Sequence, residues 1–321
     1  MAGSGAAESR ALVLEREFLP PRINPWRLAL RMGIRKPLGA FSAVIIVTLF
    51  GAAIFAGWPP LVPMKHAQPF LARYEAEEGF FRYDETKFEE VPLLKEAPSG
   101  AHWLGTDNMG RDSWARIIWG ARRSLKVSLG ALATGTVVGV FIAFISAYSR
   151  GLLDLIIQRF MDAFQAFPAI LFLMLVVTIT APTETWLTVA LAVAAIPSVS
   201  RIVRSVILQT REMPYIEAAR AIGAGTPRIM IRHILPNVTA PIIIVFSIGL
   251  GAVILAEASL SFLGLGPPGV SWGEMLSAGR LFVLTSPWQG VFSGLAITLA
   301  VLAFNLAGDA LRDILDPRLR I

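Results

Sequence analysis

The sequence contains no cysteine, which excludes disulfides, thiolate metal sites and cysteine nucleophiles. It has only three histidines, His66, His102 and His233, and none lies inside an apolar run. Their positions argue against a metal cluster and against a membrane hydrolase that uses a serine–histidine pair. The motif G-x-x-x-x-G-K-[ST] is absent, so the chain has no phosphate-binding loop of its own. We therefore expect no metal, no cofactor and no bond chemistry in this chain.

Charge is also scarce. Charged residues make up 16% of the 321 residues, 55% are hydrophobic, and the mean hydropathy is +0.61. A soluble domain of this length carries more charge. The apolar residues form uncharged runs near the length of a bilayer-spanning helix, ~20 residues. These runs are Leu38–Trp58, Val127–Tyr148, Ala163–Ala181, Ile234–Ala256 and Leu281–Gly308.

A sixth uncharged run, Thr185–Ser200, is short. We expect it to continue past Arg201 and Arg204, whose side chains can snorkel at a membrane edge. The sequence thus predicts an all-α polytopic membrane protein with six transmembrane helices. The net charge of +6 then comes from cytoplasmic arginines, and we expect no nucleic acid as a partner.

Basic residues predict the orientation. They are concentrated before the first span, in the segment 201–232 and in the C-terminal tail. In a six-span topology these three basic segments lie on the same side of the membrane. The positive-inside rule predicts that this side is cytoplasmic, so both termini are expected to be cytoplasmic. Arg122, Arg123 and Lys126 run against the rule. The first apolar run begins near residue 37, behind a long basic segment, so we expect a retained anchor helix instead of a cleaved signal peptide.

This topology divides the chain into a cytoplasmic segment (1–36), an anchor helix (37–58), an extracytoplasmic segment (59–123), a five-helix core (124–308) that includes a cytoplasmic loop (210–236), and a cytoplasmic tail (309–321). Residues 64–100 are polar and lack periodicity, which predicts a loop or a small cap. In Asp112–Arg123 the apolar residues recur at helical spacing, which predicts an interfacial helix. The alternative is that this segment forms the first turns of the second span. The apolar residues are Trp114, Ile117, Ile118 and Ala121.

The cytoplasmic loop reads as two short helices. Pro214 suits a first helical turn, and Glu217 and Arg220 lie three residues apart and can pair. Gly223 ends this helix, because glycine adopts the left-handed conformation without a Cβ clash. Thr226 and Pro227 predict the N-cap and first residue of a second helix. The predicted shared face of the first helix consists of Tyr215, Ala218, Ala219 and Ile222.

A helix-turn-helix knob with a small, alanine-rich surface suits close docking into a groove, and Pro236 then opens the next span. The alternative is an ordinary amphipathic loop. The pattern itself resembles the "EAA" loop of ABC importer permeases: Glu217-Ala218-Ala219-x3-Gly223-x9-His233-Ile234-Leu235-Pro236. The resemblance implies that the loop forms the coupling helices that dock onto an ATPase subunit. The usual pattern has an aliphatic residue where His233 stands, and a histidine there narrows the match to the dipeptide/oligopeptide/nickel branch.

Three further segments resemble that branch, in the same order along the chain. They are His102–Asp112 with Gly105, Thr106, Asp107, Gly110, Arg111 and Asp112, then Glu257–Gly266 followed by Ser271-Trp272-Gly273, and finally Gly308–Pro317. The resemblance implies a five-helix type I ABC importer permease core, of the C-type subunit of a heterodimer. It also implies a homologous permease, two ATP-binding subunits that carry ATP and magnesium, and an extracytoplasmic binding protein as partners. The implied location is a prokaryotic cell membrane.

Single residues keep two interpretations each. The turn 104–112 either contacts a binding protein near the entrance or only orients the following helix, and Arg111 and Asp112 can pair. Glu257 ends an uncharged run, so it is either a pore or gate carboxylate or a carboxyl satisfied by Ser259 or Ser261.

Small residues and prolines inside the spans also have two readings. Gly135-x3-Gly139 allows close helix approach, which is packing more often than a dimer seam. Pro168 and Pro197 imply kinks or freed carbonyls in spans three and four, which both moving pores and static bundles contain.

The sequence therefore predicts a non-catalytic permease subunit of an ATP-driven importer for peptides or similar small solutes. A second hypothesis is an ion- or proton-coupled secondary transporter. It needs paired ionisable residues in mid-membrane, where the sequence offers only Glu257, near one end of its run. A third hypothesis, an intramembrane enzyme, is disfavoured by the histidine positions.

Overall fold

The computed structural model describes residues 37–56, 95–100, 102–108, 110–149 and 151–315, and within these ranges every regular element is a helix. The helices are α1 (Pro37–Phe55), α2 (Ser113–Ser149), α3 (Leu152–Ala166), α4 (Ala169–Ile179), α5 (Glu184–Arg211), α6 (Pro214–Ala221), α7 (Thr226–Ile229), α8 (Leu235–Phe262), α9 (Trp272–Arg280) and α10 (Trp288–Leu315). The predictions for residues 1–36, for most of 64–100 and for the end of the tail lie outside the described residues.

Five of these stretches are long and apolar enough to cross a membrane: α1, α2, α5, the stretch from α7 through α8, and α10. The predicted span Ala163–Ala181 is not one helix: it covers the end of α3 and all of α4, which meet at a bend of 86°, and the described residues give six spans only when this bent pair is counted as one. Pro168 causes this bend. It disfavours helical backbone at Phe167, which is extended with φ −83° and ψ 130°, so α3 ends there. The helix of Pro197, by contrast, runs without a break.

The structure corrects two predicted boundaries. The segment Asp112–Arg123 is no separate interfacial helix, because α2 is one continuous helix from Ser113 to Ser149. The alternative, first turns of the second span, is therefore the one observed. The last predicted span, Leu281–Gly308, does not begin at Leu281, because residues 281–285 form turns before Pro287 and the helix starts at Trp288. It then continues past Gly308 to Leu315.

Small residues let α2 and α5 pack closely along their length. A Cβ at Gly135 would lie 2.7 Å from the Ala192 carbonyl oxygen, and one at Gly139 would lie 3.0 Å from the Val199 Cβ. The glycine pair thus serves packing within the chain. These contacts also show that α2 and α5 run parallel and in register, so residues near 139 and 199 lie at the same depth.

Two apolar clusters build the interior. The larger joins α2, α4, α5, α8, α9 and α10. The smaller joins the ends of α2 and α5 with the loop that follows α5 and with the start of α8. This second cluster matters for function because it holds the predicted coupling loop.

Cysteine labelling tests the predicted sidedness of the two ends of the bundle. The chain has no native cysteine, so single cysteines report cleanly. A cysteine at Ser99 should react with an impermeant reagent from outside intact cells, whereas one at Gly225 should react only in inverted vesicles. Both positions are exposed. Labelling of both from the same side would contradict the six-span topology.

Candidate functional site: the coupling loop and the outer turn

Helix α6 forms the first half of the predicted coupling loop, residues 210–236. Pro214 occupies its first turn, as predicted, where the missing N–H costs no hydrogen bond. Its buried residues are Ile216 and Ala219, which differs from the predicted face: Tyr215 is 44% exposed and Ile222 86% exposed. The eight-residue helix lies between α5 and α8, so its orientation follows from what Ile216 contacts. Glu217 and Arg220 are both exposed, and no ion pair joins them in this described segment.

Gly223 ends α6 as the sequence predicts. Its φ is +85°, in the left-handed region. The Gly223 N–H donates to the Arg220 carbonyl at 2.9 Å, and the Ala224 N–H donates to the Ala219 carbonyl at 3.0 Å. These two bonds form a Schellman motif, which satisfies carbonyls that the helix end would leave free. A Cβ on Gly223 would meet nothing within 4 Å, so backbone conformation alone selects glycine there.

The second predicted helix is the beginning of the next span. Gly225, and not Thr226, is the N-cap of α7, and a π-helical turn, Met230–Ile234, connects α7 to α8. Pro236 lies in the first turn of α8 and has no N–H to donate. The wider turn accommodates it, because the Leu235 N–H bonds the Met230 carbonyl instead. The His233 carbonyl accepts from the Asn237 Nδ2 at 2.6 Å, so His233 belongs to this turn.

The loop is fastened to three spans at once. Its buried side chains share one cluster with the inner ends of α2, α5 and α8. The members are Ala143, Ala147, Val199, Val203, Ile207, Ile216, Ala219, Ile229, Ile234 and Val238. In addition, the Arg211 Nη1 donates to the Ala147 carbonyl at 2.6 Å. The loop and the ends of these three spans therefore share one packed apolar cluster.

The opposite side of the loop is open and mixed in character. Partial burial raises the pKa of the Tyr215 phenol above its usual value. Exposed apolar groups beside arginines are typical of surfaces that dock a protein partner. The exposed residues are Met213, Tyr215, Glu217, Ala218, Arg220, Ile222, Arg228, Ile231 and Arg232.

At the other end of the bundle, Asp107 organises the outer turn. Its carboxylate accepts from the Arg111 Nε at 2.6 Å and from the Arg116 Nη1 at 2.8 Å. Asp112 accepts from the Ala115 N–H at 3.1 Å, so it caps α2, and it contacts His102 Nδ1 at 2.8 Å. The suggested Arg111–Asp112 pair is therefore replaced by two other pairs, and the turn orients α2.

Two glycines of the turn adopt positive φ. Gly105 and Gly110 both have φ +73°. A Cβ on Gly105 would also lie 2.3 Å from the Glu96 carbonyl oxygen, so no other residue fits there. Thr106 pairs with the same residue, because its Oγ1 accepts from the Glu96 N–H at 2.8 Å.

Arg116 is a central residue that the sequence analysis missed. Its side chain is only 1% exposed and connects Asp107 to Glu274 of α9, with the Nη2 to Oε2 distance at 2.6 Å. In a helix over Asp112–Arg123, Arg116 does not lie on the apolar face, and arginine side chains are mostly exposed in folded proteins. The sequence therefore favours an exposed position for it. Its partners are 9 and 158 residues away, so no local signal could reveal the second ion pair.

Helix α9 is locked onto α2 and α8 at this place. The Trp272 Nε1 donates to the Ile117 carbonyl at 3.0 Å, and the Ser271 side chain caps α9 through the Glu274 N–H. A Cβ on Gly273 would lie 2.3 Å from the Ala258 carbonyl, so α9 contacts α8 nearly backbone to backbone. In the Ser-Trp-Gly signature, Ser271 thus caps α9, Trp272 bonds it to α2, and Gly273 allows its backbone to approach α8. The outer turn, α9 and the start of α2 form one packed unit, which we call the outer plate.

Glu257 lies under the outer plate and is 1% exposed. Its Oε1 accepts from the Ser261 hydroxyl at 3.0 Å, and Ser124 and Ser271 surround the carboxyl. Its side chain is enclosed by helices of its own chain. Of the two predicted hydroxyls only Ser261 bonds this carboxyl, because the Ser259 hydroxyl donates to the Leu255 carbonyl, and the Glu257 Oε2 has no hydrogen-bond partner among the described residues. The role of a pore or gate residue stays a prediction.

Replacing Glu257 by glutamine separates these two interpretations. The amide keeps the size of the carboxyl and its bond to Ser261, so we expect normal assembly and wild-type uptake. Glu257→Leu should instead reduce the amount of folded chain, because it leaves the buried Ser261 hydroxyl without that partner. Uptake that falls in Glu257→Gln while the protein level is unchanged would instead support a pore or gate carboxylate.

Among the described residues, no group of three or more histidine, cysteine or acidic side chains is placed to hold a metal ion. What these residues do form is the outer plate, a bundle of spans and, at the other end of the bundle, the predicted coupling loop.

Comparisons with known proteins agree with this arrangement. The profile of the family "binding-protein-dependent transport system inner membrane component" matches residues 135–321. The glutathione transport system permease protein GsiD of Pectobacterium atrosepticum is 39% identical over 299 residues, which cover 92% of each chain. The dipeptide transport system permease protein DppC of Alkalihalophilus pseudofirmus is 37% identical over 301 residues, covering 93% of this chain and 91% of that protein.

Solved structures share the fold. The inward-facing MetNI methionine ABC transporter superposes with a TM-score of 0.53 at 20% identity, over 63% of this chain and 97% of that chain. An amino acid ABC transporter superposes with a TM-score of 0.52 at 19% identity, over 62% of this chain and 94% of that chain. The protein therefore belongs to the family of binding-protein-dependent transport system inner membrane components and is a multi-pass permease subunit of an ABC importer in the inner membrane.

Proposed function

We propose that this permease forms one half of a solute pathway and does no bond chemistry itself. ATP is hydrolysed in separate subunits, two in the complete transporter, and a homologous permease supplies the other half of the pathway. An extracytoplasmic binding protein delivers the solute to the outer plate. The solutes are small peptides or glutathione-like peptides, a class suggested by the names of the relatives.

One observation carries this proposal: the coupling loop is rigid on one side and open on the other. Ile216 and Ala219 attach α6 to the spans, while Ala218 and Ile222 are exposed on a surface next to arginines. A loop of this kind suits a protein partner that pushes on it. ATP-driven movement of α6 then shifts α2, α5 and α8 together, and the pathway alternates between outward- and inward-facing states.

The secondary-transporter hypothesis gains no support from the site. It requires a mid-membrane ionisable pair that binds the coupling ion. Glu257 has hydroxyl neighbours and is packed beneath the outer plate. The coupling loop, moreover, would have no purpose in a transporter that acts alone.

Reconstitution tests the proposal. The permease is purified through a tag together with the partners that co-purify with it, and placed in liposomes with a binding protein loaded with dipeptide. We expect uptake with ATP and none with a non-hydrolysable analogue. Uptake driven by a proton or sodium gradient without ATP, or a permease that purifies alone and transports, would contradict it.

A further inference from the structure

Two kinds of exposed surface occur at one depth of the bundle. On α2 the exposed residues near Gly139 are apolar, Val138 and Phe141. On α5, which is in register through the Gly139–Val199 contact, the exposed residues include Ser198 and Arg201. The α2 surface suits lipid. The α5 surface does not, because polar groups that face hydrocarbon lose their hydrogen bonds with water.

Polar residues recur along this face of α5, with the exposed Ile202 between them. On α5, Ser198, Arg201, Ser205 and Gln209 are exposed and recur at intervals of three to four residues, so they form one stripe over about 16 Å at 1.5 Å per residue. Helix α3 adds exposed polar residues alongside. The Gln165 Nε2 donates to the Ser198 hydroxyl at 3.3 Å, which places the two helices edge to edge. We call this surface the polar stripe.

Charge within the polar stripe is unbalanced. The Arg201 Nη2 lies 2.6 Å from the Asp162 Oδ1, and the Arg159 Nη1 lies 3.8 Å from the Asp162 Oδ2. Two guanidinium groups thus share one carboxylate, which leaves a net positive charge. The Arg201 and Asp162 side chains are 49% and 47% exposed, so their outer faces remain available. The neighbouring Arg204–Asp154 pair, one turn inward, is balanced and more buried.

We propose that the polar stripe lines the solute pathway and that Arg159 and Arg201 form a contact site for a solute carboxylate. The guanidinium donors of Arg201 can bond a passing carboxylate while Asp162 keeps the side chain extended, since guanidinium presents several donors in a fixed plane. A solute with a free carboxylate, such as a peptide, is the class that this site takes. This inference rests on the proposed importer function.

Thiol accessibility tests whether water reaches the polar stripe. Single cysteines are placed at Ser198 and Ser205, with Val138→Cys as a control at the depth of Ser198, in the assembled transporter in inverted membrane vesicles. Labelling is read on this chain alone, which has no native cysteine. We expect the stripe cysteines to react with 2-sulfonatoethyl methanethiosulfonate at least about tenfold faster than the control, because thiolate forms only where water enters. Equal rates at all three positions, with and without ATP, would overturn the proposal.

Charge variants test the carboxylate site. At Ser198→Cys the anionic reagent should react faster than the cationic 2-trimethylammonioethyl analogue, and Arg201→Gln should abolish that preference. Arg201→Gln should also lower dipeptide uptake at least about tenfold, the size of effect that one charged hydrogen bond supports. Stimulation of the ATPase by binding protein should remain. A reagent preference unaffected by Arg201→Gln, or wild-type uptake in that variant, would overturn the carboxylate site.

A second variant covers the case in which Arg201→Gln fails to assemble. Arg159 is 76% exposed and contacts Asp162 only from its own helix, so Arg159→Gln should assemble normally. It should reduce the same reagent preference and the same uptake. An unchanged reagent preference and unchanged uptake in Arg159→Gln would contradict the carboxylate site. Absence of ATP-dependent uptake in the unmodified transporter would instead contradict the importer function itself.

Discussion

Replacing Gly223 by valine is expected to leave the spans inserted and to abolish uptake. The residue has φ +85°, where a side chain with a Cβ costs roughly 1–2 kcal/mol, and a β-branched one more. No atom lies within 4 Å of the added Cβ, so the effect is confined to the backbone. The Schellman motif then opens and α6 changes its angle to α7. A misplacement of about one ångström is enough to spoil docking into a preformed groove.

Three further variants separate the effect of backbone conformation from the loss of glycine itself. Gly225 lies two residues on, has φ −67° and also has open space, so Gly225→Val should transport normally. Asparagine tolerates the left-handed region better than other residues with side chains, so Gly223→Asn should retain most activity, and Gly223→Ala should be milder than Gly223→Val. Uptake, membrane level and ATPase co-purification are measured for each. Wild-type uptake in Gly223→Val would show that this helix end does not set the docking geometry.

Replacing Arg116 by alanine should destabilise the outer plate more than any other single charge removal there. The change removes one of the two arginines that contact the buried Asp107 carboxylate among the described residues, and it removes the ion pair to Glu274 of α9. Removing one partner of a buried ion pair costs about 3–5 kcal/mol. Because Arg111 still contacts Asp107, we expect a loss of folding free energy near the lower end of this range. Such a loss lowers the thermal midpoint of the purified permease by roughly 5–10 °C.

The control for Arg116 is its neighbour in the same network. Arg111 is 23% exposed and has water as an alternative partner for its own charge, so Arg111→Ala should lower the midpoint by less than half as much. Arg116→Lys should not restore stability, because an ammonium group cannot contact both carboxylates in the geometry of a planar guanidinium. Equal midpoints for Arg116→Ala and Arg111→Ala would contradict the central position of Arg116.

The parts of the fold that local chemistry dictates were predictable. Uncharged runs of about 20 residues predict the spans, and Gly223 and Pro214 predict the two ends of α6. The orientation of α6 was not predictable, because two faces of an eight-residue helix carry similar apolar residues. Ile216 is buried because it packs in the cluster that includes residues of α2, α5 and α8, and most of those residues are distant in sequence.

Long-range charge pairing was also hidden. Arg201 and Arg204 suggested snorkelling at a membrane edge, yet they pair with Asp162 and Asp154 of α3. Nothing in the sequence connects these residues until the bend at Pro168 places α3 beside α5. The unbroken α2 was missed for a related reason: buried Arg116 and its two carboxylate partners permit a charged segment to continue an apolar helix.

Site-specific photo-crosslinking from α6 tests the central claim most directly. A photoreactive phenylalanine analogue is placed at Tyr215, whose ring is partly exposed on the open side of the coupling loop, and as a control at Trp103, which is exposed at the outer turn. In the assembled transporter, the Tyr215 probe should crosslink to the ATP-binding subunit, and the Trp103 probe should not. A Tyr215 probe that reaches only lipid, or that crosslinks to the extracytoplasmic binding protein, would contradict the assignment of this loop to ATPase coupling.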